Sequence, residues 1–227
     1  MKLKMKLKKI ASLMLAGVMA ASMLAGCQNT NVKPEDPTDP DPTPATGYSV
    51  DLGNALADVL KENEIDTVVT FADSDVDKAA LEDALGNLGR NQLFTTSGKD
   101  TLYDLIDEDV VADFKDAAKL DRDTLVSGNA IYNYKYNLNK TVKVGDIFAV
   151  DATVDMSKAI NWIVAEYEDA FADLQKSVTI RNGQNEKLVY DYNYTVSVSV
   201  VNVPAPDITI FTGSTNFIAV TVTRTVV

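Results

Sequence analysis

The sequence predicts an α+β domain, a helical first half followed by an antiparallel sheet with one long helix packed on one face. Three observations carry that expectation. Between residues 52 and 119 apolar residues return at helical spacing, and from residue 131 onward they alternate with polar residues at the spacing of strands. A single long helical stripe over residues 156–174 interrupts the alternating half.

The first helix is read from Leu52, Ala55, Leu56, Val59 and Leu60, at i, i+3, i+4, i+7 and i+8, with Asp51 placed to cap it. A β-branched run over residues 65–71 suits a strand. Val76, Ala79, Ala80, Ala84, Leu85 and Leu88 mark a second helix behind the acidic start at residues 73–77. A third helical region, residues 101–119, divides into two short helices near residues 107–109, with Val110, Val111, Phe114 and Ala118 facing inward.

The second half changes period. Tyr132, Tyr134, Tyr136 and Leu138 alternate with Asn133, Lys135 and Asn137 as a half-buried strand, and residues 142–150 form the next, with Gly145 and Asp146 marking a bulge. The long helix shows Met156, Ile160, Ile163, Val164, Tyr167, Ala170, Phe171 and Leu174 on one side and Glu166, Asp169 and Asp173 on the other. Asn182 and Gly183 announce a hairpin. The strand after it carries Leu188, Tyr190, Tyr192, Tyr194, Val196, Val198 and Val200 on one face and Asp191, Asn193, Thr195, Ser197 and Ser199 on the other. A last strand covers residues 217–227. Such one-sided strands suit an antiparallel sheet with one solvated face, since buried parallel strands are apolar on both faces.

Ahead of this domain, Lys2, Lys4, Lys6, Lys8 and Lys9 precede an apolar run over residues 10–24, the build of a secretory signal. At about 15 residues, roughly 22 Å as a helix, the run is short of the ~20 residues that span a bilayer. It ends in Leu24, Ala25, Gly26 and Cys27, and Cys27 is the only cysteine of the chain. Small residues before a lone cysteine make this stretch resemble the lipobox of bacterial lipoproteins. The resemblance implies a cleaved signal peptide (1–26), a diacylglyceryl group on Cys27 as lipid attachment point, and a place in the bacterial cell envelope, outside the cytoplasm and anchored to a membrane. It covers the first 28 residues or so and leaves the exported domain unassigned.

Residues 27–47 hold Pro34, Pro37, Pro40, Pro42 and Pro44 among acidic and small polar residues, which suits a disordered, extended stalk. About 20 residues at ~3.1 Å each reach up to roughly 60 Å. Residues 48–227 are read as a single α+β domain.

Composition narrows the chemistry. Five of the 21 Lys and Arg and none of the 33 Asp and Glu precede Cys27, so the chain from Cys27 onward carries 16 − 33, or −17. Such a charge disfavours nucleic acid and anionic headgroups, leaving the lipid on Cys27 as the membrane contact. With no histidine and no further cysteine, the exported domain has no Ser-His-Asp or Cys-His catalysis and no histidine-ligated metal. Carboxylate, lysine, tyrosine and hard-metal chemistry stay open.

Tyr132, Tyr134, Tyr136, Tyr190, Tyr192 and Tyr194 make up six of the nine tyrosines. If their strands pair, the rings form a ladder, either an exposed platform for a glycan or peptide or a structural one packed under the long helix. Asp73, Asp75 and Asp77 have the spacing that opens a calcium loop, but Lys78 stands where that loop needs Gly and Ala84 where it needs Glu. Acids at a helix start answer to capping and the helix dipole. Ser97, Gly98 and Lys99 lack the glycine and hydroxyl residue of a phosphate loop. Trp162, the sole tryptophan, flanks the long helix's stripe.

No catalytic residue, cofactor or metal set is therefore named. The expected role is a non-enzymatic binding or structural module at the cell surface, with a glycan, a peptide or an envelope protein as partner. The alternatives are a carboxylate-dependent glycan hydrolase and a ligand-capturing lipoprotein serving a transporter.

Overall fold

The computed structural model describes residues 47–86, 88, 99–105, 107–121, 138–204 and 213–227. The leader, Cys27, the proline-rich stretch before Gly47, and Tyr132, Tyr134 and Tyr136 lie outside them. In chain order the described elements are α1 (Tyr48–Glu62), β1 (Val69–Phe71), α2 (Asp75–Leu85), β2 (Tyr103–Asp104), α3 (Glu108–Ala118), β3 (Val142–Asp151), α4 (Met156–Ala172), β4 (Ser177–Arg181), β5 (Lys187–Pro204) and β6 (Ser214–Val226). Helices dominate the first half and strands the second, as the α+β reading expects.

The strand order is β1-β5-β6-β3-β2, and β4 pairs with the start of β5. All neighbours are antiparallel except β1, which runs parallel to β5 from Val69↔Tyr194 to Phe71↔Val196, so the sheet is mixed. Strand parity then divides the core in two. Phe148, Val150, Val196, Val198, Ile218, Val220 and Val222 face α1 and α4 in one cluster. Ile147, Ala149, Phe217 and Ala219 face the other way and pack with Leu81 and Leu85 of α2 and Val110 and Phe114 of α3. The face expected to be solvated is thus covered in part by the two acidic helices, and α4 shares its own face with α1.

Local details differ from the sequence pattern for identifiable reasons. α1 begins a turn early, and Asp51 lies in its first turn rather than at its cap. Its start is held by Asp73, whose Oδ1 accepts from Ser49 N (3.3 Å) and Ser49 Oγ (2.5 Å). Gly47, at φ 141°, must be glycine here, since a Cβ would fall 2.2 Å from Asp73 Oδ2. Residues 65–68 turn instead of extending, with Val68 N donating to Ile65 O. Residues 103–104 form β2 against Ala149 and Phe148 rather than a helix, and Asp107 caps α3 by accepting from Val110 N at 3.2 Å.

No bulge interrupts β3, which pairs one-for-one with β6 from Val142↔Arg224 to Asp151↔Thr215. Gly145 serves close approach instead, because a Cβ there would lie 2.9 Å from Val220 O. The hairpin forms where expected. Asn185 N donates to Asn182 O and Asn185 sits at φ 64°, a type I turn followed by a left-handed residue rather than a two-residue turn.

Candidate functional site

The tyrosines on β5 are positioned by its parity. Tyr192 and Tyr194 point to the α1/α4 face and are 1% and 4% exposed, within the same cluster as Ile163 and Phe171. Their hydroxyls are spent internally, Tyr192 Oη donating to Leu138 O and Tyr194 Oη to Gln175 O, both at 3.0 Å. The Arg224 guanidinium stands 4.6 Å from the Tyr192 ring centre. Neither ring is offered to a ligand, because the strand's apolar face is the face that packs under the long helix. Tyr190 is half-buried at the margin of that cluster.

The three acids at the start of α2 go to three different tasks. Asp73 holds the start of α1. Asp75 is exposed on the first turn of α2, whose cap is Ser74, accepting from Asp77 N at 3.2 Å. Asp77 turns inward and is 2% exposed. Its Oδ2 accepts from Thr221 Oγ1 at 2.7 Å, and its Oδ1 accepts from Lys143 Nζ. Lys143 also donates to Ala118 O at 3.0 Å, at the C-terminal end of α3 where a cation suits the helix dipole. One lysine of β3 thereby ties α2, α3 and the sheet together. Among the described residues no group of three acidic, cysteine or histidine side chains is assembled to hold a metal ion.

A second buried carboxylate lies on the opposite face. Asp146 of β3, 5% exposed, accepts from the hydroxyl of Tyr167 on α4. Burial first, and the charge of Asp146 second, push the Tyr167 hydroxyl well above the ordinary phenol range. Phe148 and Phe171 meet the Tyr167 ring edge-on, each at 6.0 Å between centroids. This pair is locked in apolar surroundings, a tie between sheet and helix. Nearer the surface, Lys158 sits 5.1 Å from the centre of the half-buried Trp162 ring and pairs with Asp100.

Among the described residues, an open concavity lies over α2 and α3. Asp75, Val76, Ala79, Ala80 and Asp83 of α2, with Ala117 of α3, line an open groove of about 540 Å³. Val76, Ala79, Ala80 and Asp83 fall at i, i+3, i+4 and i+7, so α2 bears two stripes. Asp77, Ala80, Leu81, Ala84 and Leu85 face the core, and Val76 stays 66% exposed beside it. The apolar pattern that marks this helix in the sequence, Val76 to Leu88, runs the two stripes together. Asp75 and Asp83 stand eight residues apart on one helix, ~12 Å along its axis, wider than the ~5–9.5 Å between the two acids of a glycosidase.

The clamp of Asp77 and Lys143 left no local signal in the sequence. Its partners are 66 residues apart, and one acid among several at a helix start reads as a dipole acid. No known protein family, curated protein or solved structure compared with this chain matches it.

Proposed function

We propose that the chain is an exported lipoprotein, anchored through Cys27, that serves as a non-enzymatic binding or structural module at the cell surface. One observation carries the reading: five lysines, an apolar run of about 15 residues, two small residues and the chain's only cysteine occur in that order before the first proline. The acidic, proline-rich residues that follow suit a spacer, and a net −17 from Cys27 onward (16 − 33) keeps the domain off anionic headgroups. A diacylglyceryl group supplies two acyl chains, enough for stable anchoring where a single chain binds only marginally.

Expression in a bacterial host with labelled palmitate tests it. The wild-type chain is expected to take up label and fractionate with membranes, and Cys27→Ser is expected to lose both. Label retained by Cys27→Ser, or an unlabelled wild-type chain in the soluble fraction, would overturn the anchor.

A further inference from the structure

We propose that the groove between α2 and α3 docks a cationic amphipathic segment of a partner protein. The inference deepens the binding-module reading and rests on it. The floor is Val76, Ala79, Ala80 and Ala117, and Val76 is one of four large apolar side chains left exposed among the described residues. A valine at 66% exposure in the first turn of an acidic helix does nothing for solubility or for the core beneath it.

The rim fixes the sign of the occupant. α2 and α3 carry eight acids against two lysines, a formal −6 over 22 residues, and Asp75 and Asp83 edge the floor itself. A second copy of this chain would bring the same negative face, and an anionic lipid surface would be repelled. A segment with apolar residues at i, i+3 and i+4 and lysines or arginines flanking them meets both features, its apolar side chains entering the groove and its cations meeting the rim. Asp77 and Lys143 beneath fix the distance between the two helices, so the groove is preformed.

The test uses the full chain exported with Cys27→Ser, titrated with a fluorescent Leu/Lys amphipathic peptide of about 18 residues, five helical turns, and with its Leu/Glu counterpart. The Leu/Lys peptide is expected to bind, more weakly as salt rises, and the Leu/Glu peptide not to bind. Val76→Glu adds negative charge while removing the apolar contact, and is expected to weaken binding by about tenfold or more. Ala79→Glu, at another exposed floor position, should act alike, and circular dichroism confirms that both variants are folded. Neutralising Asp75 and Asp83 to Asn should also weaken binding, whereas Glu62→Gln with Asp66→Asn, an equal change of charge on the far side of the sheet, should not. Binding unchanged or tightened by Val76→Glu, or weakened equally by the distant pair, would show diffuse attraction to an acidic protein and overturn the groove. Absence of Leu/Lys binding would overturn it as well. Because none of these chains carries the lipid, the outcome is independent of whether Cys27 is acylated in the cell.

Discussion

The clamp between Asp77 and Lys143 makes an asymmetric prediction. The Asp77 side chain is 3% exposed and that of Lys143 20% exposed, so the two are not equally costly to strand. Lys143→Met leaves a carboxylate in the interior with Thr221 as its remaining side-chain partner in the clamp. Removing one partner of a buried pair typically costs ~3–5 kcal/mol, and this variant belongs at that end. Asp77→Ala leaves an ammonium that keeps Ala118 O and reaches water, so about 1.5–3 kcal/mol is expected, the range for a lost hydrogen bond to a charged group. The double variant Asp77→Ala with Lys143→Met strands neither charge. Its cost should fall short of the sum of the singles by ~1 kcal/mol or more. Urea denaturation followed by circular dichroism, with linear extrapolation, measures all four proteins. Additive costs, or an Asp77→Ala variant less stable than Lys143→Met, would refute the assignment of this pair as the tie that seats α2 and α3 on the sheet.

Other expectations follow from single contacts. Because the Tyr167 pKa is raised in the folded state, its contribution is fully present below the unfolded value near ~10 and is lost as pH rises toward the folded value, at up to about 1.4 kcal/mol per pH unit. Urea midpoints above pH ~10 should fall more steeply for the wild type than for Tyr167→Phe, and parallel slopes would contradict this. Ser49 Oγ accepts from Val198 N at 2.9 Å, closing the edge of β5 beyond β1. Ser49→Ala should cost about 1–3 kcal/mol and speed hydrogen exchange at the Val198 amide. Gly145→Ala drives a Cβ against Val220 O and should cost ~1–3 kcal/mol. Gly183→Ala, with nothing within 4 Å of its Cβ, should be close to neutral, both glycine variants being read by urea denaturation.

Much of the scaffold was legible because its longest elements are strictly one-sided. The alternation along β5 and the stripe of α4 each repeat over many residues, so one displaced side chain cannot change their period. Short pieces were legible only where local chemistry decides them. The turn at Asn182 to Asn185 is such a case, and β2 is the opposite one. Tyr103 and Asp104 lie beside a helical pattern, and only pairing with Ala149 and Phe148, more than 40 residues away, makes them a strand. The covered second face was hidden for a related reason. Ser197, Ser199 and Thr221 look like solvent-facing residues, yet all three are buried, Thr221 against Asp77. The aromatic ladder was legible as a pattern but not as a site. Rings at every second position of β5 serve a core as well as a surface, and the packing of α4 decides between them for Tyr192 and Tyr194. The groove went unseen because two adjacent stripes on α2 summed to one broad apolar face.

Whether Cys27 is the acylated N-terminus is read by mass spectrometry of the N-terminal peptide of the protein recovered from bacterial membranes. A mature chain beginning at Cys27, its sulfur carrying diacylglycerol, followed by Gln28 and Asn29, is expected. A chain that begins elsewhere, or a Cys27 bearing a free thiol, would contradict it.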